Sequence, residues 1–156
     1  MAGYISVPFF PSLNGKELSY IMDYGDVDAL FIGKIETWDD IKNDLPSEMP
    51  IIRFPKYEGC SNVTKGHEWH ELINRHEPIE NPNKPKLSDL WTIIFTSGTT
   101  GNPKGVMLTY QAIDGIKVVL DDPNNPLGIK HTGNNDFISY LPLNHIFERV
   151  VILSLI

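Results

Sequence analysis

The sequence predicts an α/β fold: a mostly parallel sheet with crossover helices, followed by a strand–loop–strand hairpin. Three observations predict it. Short apolar runs near the N-terminus alternate with helix-patterned stretches, an order that favours parallel strands in a βαβαβ arrangement. A nearly continuous apolar run at 89–95 meets a loop of glycines and hydroxyl residues, after which apolar residues return at 106–109. Hydrophobic residues make up 41% and charged residues 21% of the 156, enough to build a core, so the chain is not compositionally disordered.

Each element has its own local signal. Ile5–Phe10 alternates as a strand does, and Pro11–Asn14 reads as a turn. Ser12 or Asn14 is placed to cap a helix over Gly15–Tyr24, where Leu18, Ile21 and Met22 fall at helical spacing. Gly25 stands where a helix-terminating glycine belongs. Ala29–Ile32 is a short buried strand. Thr37 precedes Trp38, Asp39 and Asp40, and acidic residues suit the first turn of a helix running to about Leu45. Met49–Phe54 completes the pattern, making residues 1–55 the βαβαβ portion.

Residues 56–88 read as a helix and a proline-rich connector. His67–His76 carries Trp69, Leu72 and Ile73 on one side, an amphipathic helix pattern. Pro78–Lys86 holds three prolines and is a connector. Residues 89–156 form the third portion: a strand at Asp89–Phe95, a loop at Thr96–Gly105, and a strand at Val106–Thr109. A helix at Gln111–Leu120, a long polar loop at Asp121–Asn135, a strand at Asp136–Leu141 and a helix from His145 onward complete it.

Composition excludes several classes. Thirteen basic against 20 acidic residues give a net charge of −7, unlike the basic surface of a nucleic-acid protein. Cys60 is the single cysteine, so neither an intrachain disulfide nor a multi-cysteine metal site can form. The N-terminus lacks the charged and apolar regions of a secretory signal, and no run approaches the ~20 apolar residues of a membrane helix. The expected setting is reducing and cytoplasmic, with peripheral membrane contact left open, and Asn62-Val63-Thr64 is a chance sequon. His67, His70 and Glu71 suggest a metal only superficially, because the two histidines are three residues apart rather than four. Neither the Gly-x-Ser-x-Gly elbow of a hydrolase nor a Gly-x-Gly-x-x-Gly dinucleotide fingerprint is present.

The chemistry concentrates in Thr96-Ser97-Gly98-Thr99-Thr100-Gly101-Asn102-Pro103-Lys104-Gly105. Gly98, Gly101 and Gly105 allow positive φ and close approach to a ligand. Successive backbone N–H groups in such a loop make an anion-binding nest. The hydroxyls of Ser97, Thr99 and Thr100 donate to phosphate oxygens or ligate magnesium, and Lys104 supplies positive charge. The motif is not a Walker A loop, since Lys104 is followed by glycine and then by strand residues. A plain Gly/Thr hairpin is the alternative reading.

The stretch Ile94–Val106 closely resembles the signature of the adenylate-forming (AMP-binding) enzymes. Tyr140-Leu141-Pro142-Leu143-Asn144-His145-Ile146-Phe147-Glu148-Arg149-Val150 resembles their long-chain fatty-acid–CoA ligase branch, and the opening Ala2–Pro8 resembles their N-terminal domain. The resemblance implies an acid–thiol ligase that joins a fatty acid to coenzyme A by way of an acyl-adenylate made from ATP. It implies that Thr96, Ser97, Gly98, Thr99, Thr100, Gly101 and Lys104 hold the nucleotide phosphates. Thr99 would touch Mg2+, and His145 would lie near the carboxylate and α-phosphate. From the residues alone, His145 reads as a capping or core histidine before the final helix, and Glu148 and Arg149 as a local ion pair outside the site; the site reading of His145 comes from the resemblance. The family's acidic magnesium ligand, adenine site and C-terminal lysine are not among these residues. The chain is therefore expected to be an internal fragment of the N-terminal domain, inactive alone. Its apolar ends predict self-association. The alternatives are an adenylate-forming ligase for a different acid and a non-catalytic polyphosphate-binding module.

Overall fold

The computed structural model describes residues 3–33, 35–55, 63–96, 101–122, 124 and 143–155. Its internal contacts divide the chain into two units. One comprises Phe9–Pro82 with Phe95–Lys104; the other comprises Met1–Pro8, Asn83–Ile94 and Gly105–Ile156.

The first unit begins with helix α1, Gly15–Tyr24. Asn14 caps it through a reciprocal pair of bonds. The Glu17 N–H donates to Asn14 Oδ1 at 3.0 Å, and the Asn14 N–H donates to Glu17 Oε2 at 3.2 Å. Two otherwise orphaned donors are thus satisfied at once. Asn14→Ala is expected to cost about 1 kcal/mol. A lowered urea midpoint with an unchanged m-value would show it. The far end closes differently from the sequence expectation. Gly25 is helical at φ −87°, and Asp26 takes the left-handed position at φ 49°. The Val27 N–H donates to the Met22 carbonyl and the Asp26 N–H to the Asp23 carbonyl, a Schellman pattern in which aspartate does what glycine was expected to do.

Strands β1 (Leu30–Ile32), β2 (Ile51–Arg53) and β3 (His67–Glu68) form a parallel sheet in that order. Helix α2, Trp38–Ile41, lies in the crossover between β1 and β2. Leu18 and Met22 of α1 pack with Leu30, Ile32, Trp38, Ile41, Leu45 and Ile51 as the core. The α/β class and the parallel sheet are as the alternation predicts, but three boundaries move. Ile5–Phe10 is no strand of this sheet; the third strand is β3. Pro8 and Pro11 lack the N–H donors that a ladder needs. Only Ser6 pairs, in a single parallel bridge to Thr92 within the second unit. Helix α2 stops one turn in, short of Leu45. The Asp44 N–H reaches back only to the Ile41 carbonyl, and Pro46 disfavours helical geometry at the residue before it. Thr37 stands at the N-cap of α2 without a side-chain capping bond.

The predicted helix over His67–His76 shortens to α3, Trp69–Arg75, because His67 and Glu68 enter β3 beside Ile52 and Arg53. His67 therefore shares no helix face with His70 and Glu71. Glu68 caps α3 by accepting the Glu71 N–H at 2.9 Å. That backbone bond holds the Glu68 carboxyl below its ordinary range. Phe31, Phe54 and Trp69 gather their rings within 5.4–6.4 Å of one another.

The second unit holds most of the strand pair β4 (Leu90–Thr96) and β5 (Lys104–Thr109), whose ends at Phe95, Thr96 and Lys104 belong to the first, together with helices α4 (Tyr110–Asp121) and α5 (Ile146–Leu155). The Lys86 and Asp89 amides are tied in a turn, the first donating to the Asp89 carboxylate at 2.8 Å. Carbonyls of the same turn take the first N–H groups of α4, Tyr110 to Asp89 and Gln111 to Leu87. No helix among the described residues is long and apolar enough to cross a membrane. The expected loop at 56–66 lies mostly outside the described residues. So do most of the loop at 121–135 and the whole strand at 136–141.

Candidate functional site

The predicted phosphate loop sits between two hydrogen-bonded strands, as the sequence implies. Only residues 97–103 separate β4 from β5, too few for a parallel crossover, so the pair is an antiparallel hairpin. Thr96 ends β4 and Lys104 begins β5. The Thr96 hydroxyl donates to the Lys104 carbonyl at 3.4 Å and draws the two ends of the loop together. Both residues are exposed. Lys104 takes no part in the two salt bridges of the described residues, Lys42–Asp39 and His70–Glu68. Gly101 has φ +147°, and a Cβ built there would meet nothing within 4 Å. The backbone at Gly101 therefore faces open space in a conformation that other residues rarely adopt. Ser97, Gly98, Thr99 and Thr100 lie outside the described residues.

The hairpin is rooted in buried side chains. Phe95, one residue before the loop, is 4% exposed, and Tyr24 meets its ring edge-on at 6.1 Å. An apolar strand thus ends in a polar loop within one residue, which is what the abrupt composition change at Thr96 encodes.

His145 belongs to the second unit and stands immediately before α5. Its Nδ1 accepts the Phe147 N–H at 3.3 Å, so His145 is a helix cap, as one reading of the sequence has it. The cap also has a chemical consequence. With Nδ1 acting as acceptor, a neutral imidazole carries its proton on Nε2, and the exposed ring is left with a donor. Capping and an anion-facing role are therefore compatible.

Two polar residues near His145 in the chain are buried. Asn144 is 6% and Glu148 1% exposed. Arg149, placed outside the site by the sequence reading, turns to β4. Its Nη1 donates to Thr92 Oγ1 at 2.7 Å, and its guanidinium lies 4.6 Å from the Trp91 ring centroid. Desolvation lowers its pKa from the usual arginine value. The signal was present in the sequence as a cation four residues after His145, but its partner on β4 is 57 residues away in the chain. No periodicity argument reaches that far.

The AMP-binding enzyme family model matches residues 1–156, and the chain belongs to that family. It is 33% identical to the peroxisomal long chain acyl-CoA synthetase 6 of Arabidopsis thaliana, across 94% of this chain and 21% of that protein. It is 30% identical to human long-chain-fatty-acid–CoA ligase 1, across 94% of this chain and 23% of that one. The chain thus spans less than a quarter of the length of these curated relatives. Among solved structures, a Rhodopseudomonas palustris protein assigned as a long-chain-fatty-acid CoA ligase aligns with a TM-score of 0.65 at 18% identity, over 97% of this chain and 35% of its own. An anthranilate CoA ligase bound to anthranoyl-AMP aligns with a TM-score of 0.60 at 19% identity, over 74% of this chain and 22% of its own. The fold is that of the adenylate-forming ligases.

Proposed function

We propose that this chain is the phosphate-gripping part of an ATP-dependent fatty-acid–CoA ligase. One observation carries the reading: a hydroxyl- and glycine-rich loop held between two paired strands, ending on an exposed lysine, in a chain matched throughout by the AMP-binding family. Curated relatives named for long-chain acyl-CoA synthesis support the choice of acid.

In the first half-reaction a fatty-acid carboxylate oxygen attacks the α-phosphorus of ATP, and the bond to pyrophosphate breaks. In the second, the coenzyme A sulfur attacks the acyl carbon and AMP leaves. The first nucleophile is already an anion, so the demand is for charge neutralisation and alignment rather than for a strong base. We assign the backbone and hydroxyls of Thr96–Gly101, together with Lys104, to the β- and γ-phosphates. We assign the Nε2–H of His145 to an oxygen at the reacting end. Magnesium suits this donor set, because it keeps several waters and takes phosphate oxygens with few protein ligands. Thr99 is the residue we assign to hold it, and the ion would neutralise triphosphate charge.

A chimera tests the reading. Residues 1–156 replace the matching stretch of human long-chain-fatty-acid–CoA ligase 1, and ATP–pyrophosphate exchange is followed with long-chain, short-chain and aromatic acids. Exchange that depends on the long-chain acid is expected, and His145→Ala should lower it by about 10- to 100-fold, the worth of one charge-assisted hydrogen bond. Exchange supported only by another acid would reassign the substrate. A folded chimera that binds ATP without any exchange would make the segment a binding module.

A further inference from the structure

We propose that Arg149 is a positioning residue that fixes the start of α5 and, through it, the orientation of the His145 ring. Its importance for catalysis rests on the ligase reading above; its effect on His145 does not. Thr92 is fully buried, at 0% exposure. Its hydroxyl has one proton, donated to the Ser6 carbonyl at 2.7 Å, and a lone pair that accepts from Arg149 Nη1 at 2.7 Å. Guanidinium, hydroxyl and backbone carbonyl thus form a directional relay, every member of which is used. The Ser6 carbonyl also accepts the Ile93 N–H at 3.0 Å, and the Ser6 N–H donates to the Trp91 carbonyl at 3.2 Å. The relay therefore ends on a doubly anchored point of backbone. A cation–π contact with Trp91, at 4.6 Å from the guanidinium carbon to the ring centroid, gives the side chain a second hold on β4.

Arg149 sits at the end of the first turn of α5, two residues beyond the Phe147 N–H that His145 caps. A helix start held only by its own first bonds frays. Here the first turn is pinned to β4, so the Phe147 N–H presents a fixed donor to Nδ1. Nε2 is then aimed by backbone geometry rather than by side-chain chance. A lysine can donate to the same hydroxyl but lacks the guanidinium's several donors and flat face, so it holds the helix start less firmly.

The test follows the ring directly in the 156-residue chain. Nitrogen-15 shifts of His145 report its tautomer, and amide hydrogen exchange reports the Phe147 bond. In Arg149→Met and Thr92→Val, Phe147 should exchange about fivefold faster and the ring nitrogens should move toward a mixture of tautomers. Thr92→Ser, which keeps the hydroxyl, should match the native chain. Unchanged ring shifts with Phe147 exchange within twofold of native would overturn the proposal. So would a loss of protection spread equally over α1 and α4, since that marks a purely structural role. Should Arg149→Met not fold, Arg149→Lys decides the matter by the same readouts. In the chimera, Arg149→Met is expected to lower kcat with little change in KM for ATP. A chimera inactive even with Arg149 intact counts against the ligase reading alone and leaves the ring measurement to stand or fall separately.

Discussion

Lys104→Ala is expected to weaken the binding of magnesium–ATP and of pyrophosphate to this chain by about 10- to 100-fold, the equivalent of one charge-assisted hydrogen bond. The expectation follows from where the lysine is. It begins β5, its carbonyl is tied to Thr96 across the mouth of the loop, and its side chain is exposed. A fixed backbone with an exposed cation at its end costs little reorganisation when an anion arrives. Because the ammonium is solvated in the free chain, its removal should leave stability unchanged. Calorimetric titration of the native and Lys104→Ala chains with each ligand measures the effect. Lys16→Ala, which removes another exposed cation, on α1, is the control for general charge. A dissociation constant within twofold of native for Lys104→Ala would remove the lysine from the site. Raising the ionic strength should weaken native binding more than mutant binding, because one screened attraction has gone.

Much of this arrangement was legible in the residues, and the parts that were not share a cause. Asn14 with Glu17, the apolar spacing of Leu18 and Ile21, and the hydroxyl–glycine loop between two apolar runs are local patterns. Each element's own sequence states them, and the structure keeps the helix and the two strands that flank the loop. The departures come from partners distant in the chain. His67 and Glu68 read as helix because Trp69, Leu72 and Ile73 follow, yet Ile52 and Arg53 of β2 draw them into a strand. Ser6 looks like part of a strand, but its bonds go to Trp91 and Ile93 on β4. The Asp26 turn was hidden by the glycine beside it, because aspartate also tolerates the left-handed region when the Schellman bonds secure it. At the candidate site the same division holds. The loop announces itself in ten consecutive residues, whereas the tie between Arg149 and Thr92 exists only once β4 and α5 meet.

Gly66→Val is expected to destabilise the first unit by about 2–6 kcal/mol, combining the cost of a strained backbone with that of overpacking. Gly66 has φ +100°, a region that β-branched residues scarcely enter. A Cβ built there presses into the carbonyl oxygen of Ile51 and comes within 2.7 Å of the Ile51 Cβ and 2.8 Å of its Cγ2. Neither side can retreat cheaply. Ile51 is 2% exposed in the core beneath the sheet, and the next residue, His67, is already in register with Ile52. The Gly66 carbonyl also accepts from Arg53 Nε at 3.4 Å, so a shift of this backbone loosens that tie to β2 as well. Gly115 makes the opposite case. It lies inside α4, and a Cβ there meets nothing within 4 Å, so Gly115→Ala should raise stability by about 0.4–1 kcal/mol through the lost freedom of the unfolded chain. Urea unfolding of the two variants beside the native chain should give shifts of opposite sign. A Gly66→Val midpoint equal to native would mean that β2 and β3 are not held as closely as this sheet requires.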